Sequence, residues 1–280
     1  MPPALQTKVA YSTSLTGGSF EALTIASGDS FTFYTIPGAG QSPVGWLAEI
    51  WGANSAHVCE YSFTASRFHD QTYGIRMASL ASSSLAPVNT PVNLSPLGFD
   101  QPIYSADVLS VKVNGTASDK VNVSWTEYYP DLPGIQFNGV TADYVRQNMR
   151  NLVGVNVQPT SGSGNWGTSV ALNSQTDLLH KGRQYAVLGF TAQSAIQAVA
   201  IQGIDTGNLR VGGVVTGDPK VDAYIFPRLA DYYSRPLIPV IQANNSGAIN
   251  VYAANLTGAA QVIDVQLAEL STLPIQGGGF

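Results

Sequence analysis

The stretch that most limits what this chain can become is Val108 to Tyr128, VLSVKVNGTASDKVNVSWTEY. Leu109, Val111 and Val113 alternate with polar residues. Asn114, Gly115 and the run to Asp119 carry turn chemistry, and Val121, Val123 and Trp125 then alternate with Asn122, Ser124 and Thr126. Apolar residues at a period of two turn one face of a strand toward a core. Two such runs around a Gly-containing loop predict an antiparallel β-hairpin. The pattern comes again at Ile249, Val251 and Ala253, with a turn over 255–260 and a return through Ile263, Val265 and Leu267. Glu127 and Glu269 each close the second run. The repetition predicts one β-module built twice.

Taken in order, residues 1–18 read as a polar, Pro-led arm that orders poorly or only against a neighbour. Strands are expected through Phe20–Ile25, Phe31–Ile36, Trp46–Trp51 and Val58–Phe63, the last with Cys59, Tyr61 and Phe63 facing the core. Residues 66–77, SRFHDQTYGIRM, are expected to hold a further strand, and 79–97, rich in Ser, Pro and Asn, a long surface loop. The cluster Pro130 to Gly134 breaks the pattern. Thr141 then reads as an N-cap, and Ala142, Val145, Met149 and Leu152 fall on one helical face, which predicts a helix over 142–152. TSGSG at 160–164 reads as flexible. The expected layout is an arm at 1–18, a first module at 19–130, a linker at 131–165 with helix 142–152, a second module at 166–270 and a tail at 271–280.

The halves can be laid against each other. Gly28–Phe33 matches Gly182–Val187, Leu47–Asn54 matches Ala198–Asp205, and the two hairpins match last. The order of matching runs is kept, as a duplication requires. Each half then holds roughly seven or eight short strands between Gly, Pro and Asn turns, the pattern of a sandwich or barrel. The fold class expected is all-β: two tandem eight-stranded jelly-roll barrels or sandwiches with a short linker helix. Residues 79–97 and 218–236 occupy the same place in each half, where a jelly roll needs long connections. The rival is an immunoglobulin-like pair, whose inter-sheet disulfide cannot form with one cysteine.

Composition narrows the function. Charged residues make up 11% of the chain against roughly 25% in an average soluble domain. A surface poor in charge suits either burial between subunits or an extracellular β-protein rich in hydroxyls. The net charge of -5, with no run of Lys or Arg, argues against a nucleic-acid groove. No basic stretch followed by an apolar one opens the sequence, so no signal peptide is expected. No apolar run approaches the ~20 residues that span a bilayer.

Catalytic constellations are hard to assemble from these residues. His57 and Cys59 share a strand face, but two ligands do not make a zinc site. The scarcity of histidine also counts against a bicupin, whose metal is held by clustered His and Glu. His69-Asp70 lacks a Gly-x-Ser-x-Gly elbow to supply a nucleophile. Glu49, Glu60, Glu127 and Glu269 read as solvated charges in or at the ends of strands. Gly162-Ser163-Gly164 and Gly277-Gly278-Gly279 lack the helix and Lys-Ser/Thr of a phosphate loop. The sequons at Asn93, Asn114, Asn122, Asn244 and Asn255 reflect a composition rich in Asn, Ser and Thr. Trp51 and Trp125 read as core. Trp166, in a Gly/Ser loop, reads as an exposed stacking platform, joined by the pair Tyr232 and Tyr233. No catalytic, cofactor-binding or metal-ligating residue is expected.

On the duplicated strand order, the linker with one helix and the segment SRPLIPVIQANNSGAINVYAAN, the chain resembles the double jelly-roll major capsid proteins of tailless icosahedral viruses, the smaller bacteriophage members above all. The resemblance spans about residues 20–270. It implies a non-enzymatic protein of the virion shell that assembles with itself as trimeric, pseudo-hexagonal capsomers and meets other virion proteins. It also implies that terminal arms tie capsomers together, with Met1–Gly18 and Ser271–Phe280 as candidates. The alternative is a carbohydrate- or receptor-binding β-sandwich protein, a virion spike or a lectin, stacking through Trp166, Tyr232 and Tyr233.

Overall fold

Much of the period-two alternation becomes strand. In a computed structural model, residues 2–66, 75–78, 91–94, 100–172, 179–180, 182–243 and 249–271 are described. The fold is mostly β, in several largely antiparallel sheets, with short helices. The first half runs β1 (Ala4–Ser12), β2 (Glu21–Ala22), β3 (Thr24–Ile25), β4 (Pro43–Asn54), β5 (Glu60–Thr64), β6 (Ile75–Ala78), β7 (Val92–Asn93), β8 (Gln101–Tyr104), β9 (Ser110–Asn114) and β10 (Val121–Tyr129). The second runs β11 (Gly139–Val140), α1 (Ala142–Asn148), β12 (Met149–Val157), β13 (Ser161–Ser163), β14 (Val170–Ala171), β15 (Gln184–Ala192), β16 (Ile196–Gln202), β17 (Val211–Val215), α2 (Pro219–Asp222), α3 (Ile225–Tyr233), β18 (Ile238–Gln242), β19 (Asn250–Asn255) and β20 (Ile263–Leu270).

Each half carries two sheets. In the first half one sheet runs β3-β1-β10-β4, with β7 and β8 both on β4, and the other runs β2-β9-β5-β6. In the second half one runs β11-β18-β15-β20-β12, and the other β13-β19-β16-β17 with β14 also on β19. In both halves a strand from the beginning pairs with the last: β1 with β10, and β12 with β20. Val121, Val123 and Trp125 are buried, as are Ile263, Val265 and Leu267 in the matching strand.

The two expected hairpins are not hairpins. β9 pairs with β2 and β5, whereas β10 pairs with β1 and β4. β19 and β20 likewise lie in different sheets. Alternation states which face of a strand is buried, not which strand lies beside it. The connection from Gly115 to Lys120 is also longer than the two-residue turns that force neighbouring strands to pair. It is tied elsewhere: the Leu15 N–H donates to the Asp119 carbonyl and the Ser118 N–H to that of Leu15. The chain crosses from one sheet to the other at this point.

The expected arm at 1–18 is in large part strand. β1 runs beside β10 in unbroken register from Ala4 opposite Tyr129 to Ser12 opposite Val121. It hid from the pattern because its polar Gln6 and Lys8 face the side on which Val123 and Trp125 are buried, while Val9 faces the second half. The helix stops at Asn148, not at 152. Thr141 caps it as expected, its Oγ1 accepting from the Tyr144 N–H. Met149 is extended, and the ladder to β20 takes over from there. Ala142 and Val145 are buried, but Met149 and Leu152 are exposed. The expected linker 131–165 therefore contains β11, α1, β12 and β13. Residues Phe31–Ile36 make a single bridge, Thr32 to Val108, in place of the expected strand. The laid match slips too. β4 and β15 each lie beside their half's last strand, so Leu47–Asn54 answers to the region of β15 and not to Ala198–Asp205. Alternating runs resemble one another too closely to fix such a match. The tail beyond Ser271, most of loop 79–97, and His69-Asp70 lie outside the described residues.

The halves meet through the outer face of the β1–β10–β4 sheet, which is covered by β16 and β17. The Thr7 N–H donates to the Arg210 carbonyl at 2.7 Å, and the Gly212 N–H donates to Thr7 Oγ1 at 3.1 Å. Ser124 Oγ donates to the Gln197 carbonyl at 3.0 Å, and Asn122 Nδ2 to that of Gly164 at 2.7 Å. The polar alternates of β10 thus face the other half of the chain instead of water. Among the described residues, no helix is long and apolar enough to cross a membrane.

Candidate functional site

Among the described residues, no group of three His, Cys, Asp or Glu converges as a metal site would require. His57 Nδ1 lies 3.0 Å from Asp119 Oδ2, on an exposed turn. Cys59 is buried, and burial, helped by the Asp119 charge, pushes its thiol up to about 12. Only a thiolate attacks or ligates well, so this sulfur is held in its unreactive form.

The expectation of solvated glutamates fails at two positions. Glu127 is fully buried against Lys8, and Glu49 is buried beside Arg228 of α3 and Trp51 Nε1. Each has a cation from a distant part of the chain, which sequence spacing cannot reveal. Glu269 stands near Arg183 at 3.6 Å.

The three aromatic candidates separate. Trp166 is not an exposed platform: it is 7% exposed and packed among Val9, Ala26, Ala198, Ala200 and Ala254 at the junction of the halves. Its Nε1–H donates to Asp29 Oδ2 at 2.7 Å. Arg210 Nη1 donates to the other oxygen at 2.9 Å, and its guanidinium lies over the Trp166 and Tyr252 rings. The Val9 N–H is a further donor to Asp29. Burial nonetheless raises the Asp29 carboxyl above its ordinary range, against the pull of Trp166 and Arg210. A Gly/Ser loop suggests exposure; here its small residues let the two halves of the chain approach closely, Gly164 lying against Tyr11.

Tyr233 is half-buried. Its ring lies 4.0 Å from that of Tyr128, and its hydroxyl is bonded to Asp100 Oδ2. Tyr128 in turn stacks on Trp46 at 5.9 Å. Tyr232 is 61% exposed and meets Tyr233 edge-on. Of the expected stacking residues, Tyr232 is the most exposed.

What the sequence did not suggest is a groove of about 580 Å³ between α1, α3 and the sheet of β12 and β15. Val145, Met149, Leu152, Leu188, Tyr224 and Ile238 line its apolar part. Arg146 bridges the helices, bonded to Asp143 and to Asp231 at 2.7 Å each. Met149, Leu152 and Tyr224 are large and exposed. Lys8, Asp29 and Arg210 were also missed. Their one signal was rarity: in a chain with so few charges, a charge inside a strand-like run is apt to have a buried partner.

No family model matches the chain, and no curated protein matches it. Among solved structures, the protein YhaK from Escherichia coli is similar at 11% identity over 97% of this chain and 87% of that one, with a TM-score of 0.20. An overlap that low carries no argument about fold or function.

Proposed function

We propose that this protein is a structural, self-assembling shell protein: the major capsid protein of a tailless icosahedral virus of bacteriophage type, built from two tandem jelly rolls, forming trimeric capsomers and having no catalytic role. The observation that carries the reading is the strand order. In the first half, β1-β10-β4-β8 faces β2-β9-β5-β6; in the second, β12-β20-β15-β18 and β13-β19-β16-β17 repeat that sequence of first, last and middle strands. Among the described residues each half has ten strands in two sheets; the eight of that repeat, which cross between the sheets except at the paired β5–β6 and β16–β17, fit the jelly roll of capsid and lectin domains.

Two further features support assembly over catalysis. The surface is poor in charge, as suits burial between subunits. The halves are also bound into one block by Thr7, Asn122, Ser124 and the Asp29–Arg210 pair. The reading places the protein in the virion, with its own copies and other virion proteins as partners and no sequence-specific nucleic acid. Sedimentation of the purified protein, with negative-stain imaging, tests it. The expected species is a trimer or larger, with capsomer-like or shell-like particles. A strict monomer across a wide concentration range overturns the reading.

One observation favours the second reading, a carbohydrate- or receptor-binding protein: the exposure of Tyr232. A glycan array that finds a binder, with binding lost in Tyr232→Ala, would support it.

A further inference from the structure

We infer that the free edge of β12 pairs with the β12 of a second copy of this chain, antiparallel and across a two-fold axis, so that the two second-half sheets run on as one. Each residue of a strand carries an N–H and a C=O that need partners, and an unpaired edge is a template for another strand. The counterpart in the first half, β1, meets that need inside the chain. The Thr7 N–H donates to the Arg210 carbonyl and the Val9 N–H to Asp29; the Val9 carbonyl accepts from the Ala26 N–H, and β3 pairs at Ala10 and Tyr11. β12 is the end strand of its sheet. Among the described residues it pairs with β20 alone, and no backbone group outside β20 bonds to residues 151–157. Gly154 is exposed, and with no side chain its exposure is that of the backbone itself.

This edge is poorly blunted. Natural edges carry charges, prolines or bulges that turn other strands away. β12 has a bulge between Met149 and Asn151, and its one charge, Arg150, sits there. From Asn151 to Val157 the run NLVGVNV holds neither charge nor proline. Leu152 in that run is 59% exposed.

The strand is complementary to itself. Val153, Val155 and Val157 stand opposite the buried Leu267, Val265 and Ile263, which puts them on the core side; Leu152, Gly154 and Asn156 lie on the other. Opposed residues of an antiparallel pair share a face. A two-fold axis at Val153 therefore sets Leu152 of each copy beside Gly154 of the other. The place over Gly154 is open: a Cβ there would meet no atom of another strand nearer than Gln266 Nε2, at 3.9 Å. A large side chain thus falls beside an absent one, twice. Each Arg150 falls toward Asn156 and away from the other Arg150, so like charges do not stand opposed. A two-fold contact is closed and joins copies in pairs. It goes beyond the trimer of the proposed function, because trimers joined through it in pairs extend into a shell.

The test uses the full chain. Val153→Cys should form a disulfide with the same position of another copy under mild oxidation, since opposed residues lie about 4.5–5.5 Å apart at Cβ. Leu152→Cys and Gly154→Cys, made as separate proteins and mixed, should link as well, on the face away from the core. Asn156→Cys, far from the axis, should not link to itself, and Cys59 is buried and stays silent. Leu152→Lys should weaken association in sedimentation by about tenfold or more, as loss of a packed contact residue does, with the circular dichroism spectrum unchanged. Four outcomes overturn the inference. Leu152→Lys associates like the wild type; neither cysteine design links while the wild type is associated; Asn156→Cys links to itself; or Leu152→Cys resists a maleimide in isolated monomers, which means that the chain's own residues 272–280 cover the edge. A wild-type trimer without the link removes the edge contact and leaves the capsid reading. A linked dimer that goes no further keeps the contact and removes the trimer. A strict monomer removes both.

Discussion

Lys8 Nζ lies 2.9 Å from Glu127 Oε1, and water reaches neither side chain, with exposures of 2% and 0%. Glu127 also accepts from Trp125 Nε1 at 2.9 Å and from the Tyr129 hydroxyl at 2.8 Å. Lys8 donates to the Thr32 carbonyl and sits over the rings of Phe33 and Tyr34. The pair joins the first strand of its half to the last, in a largely apolar core. Two charges leave water at a cost of several kcal/mol each, recovered only while both are present and bonded.

Removing one partner strands the other. Lys8→Met is expected to cost about 3–5 kcal/mol in urea unfolding. Lys8→Met combined with Glu127→Gln is expected to cost less than the two single changes added together, by roughly 0.5–3 kcal/mol of coupling. Strict additivity would show that the pair is not coupled.

Stability is expected to fall as pH rises through mild acid. Burial raises the carboxyls of Asp29, Asp100, Asp205 and Asp222 above their ordinary range. Between the ordinary value and the raised one, the folded state holds a proton that the unfolded chain has released. Stability from this source is complete below the ordinary carboxylate pKa and is lost as pH passes the raised one. Glu21 acts in the opposite sense, lowered by the Thr16 and Gly17 N–H groups, but it is a single group. The urea midpoint should therefore decline as pH rises above about 4, and Asp29→Asn should flatten the slope. A midpoint that rises over this range would contradict the dominance of burial.

Cys59 is expected to report unfolding. With the thiol buried and pushed up to about 12, thiolate is scarce at neutral pH and access is closed. A disulfide reagent at pH 8 should label it only as fast as the surrounding strands open, and labelling should accelerate in urea in step with the loss of structure. Immediate labelling of the native protein would show that the turns around Leu15 and Gly115 do not seal it.

What was legible in the residues follows a physical line. Alternation states which side of a strand is apolar, and Val121, Val123, Trp125, Cys59, Tyr61 and Phe63 are all buried as read. It does not state neighbours, so β9 and β10 were wrongly paired. Nor does it distinguish a polar face in water from a polar face under another module. Asn122, Ser124 and Thr126 look solvated in the sequence and are buried in the fold. Leu152 failed for another reason. Ala142, Val145, Met149 and Leu152 share a helical spacing, but a strand to pair with was available from Met149 onward, and tertiary pairing overrode the local preference. Of the candidate site, Tyr232 was legible as a surface ring. The groove was not, because it is made by α3 lying beside α1 and over β15, both distant from it in sequence.

Trp166 gives the sharpest test of how the halves are joined. Its ring fills a niche among small side chains, and its N–H holds Asp29, which in turn holds Arg210 and the Val9 N–H. Trp166→Phe keeps much of the ring and deletes the donor, leaving one lobe of a buried carboxylate unanswered; about 1–3 kcal/mol should be lost. Trp166→Ala also opens a cavity, and about 3–5 kcal/mol should be lost. The distinguishing measurement is hydrogen exchange. If the ring joins the halves, β1 amides held at the junction, Thr7 by the Arg210 carbonyl and Val9 by Asp29, should lose protection in both variants, while those of β5 and β9 keep it. If protection falls evenly across the first half, Trp166 stabilises the fold as a whole, and the junction does not depend on it.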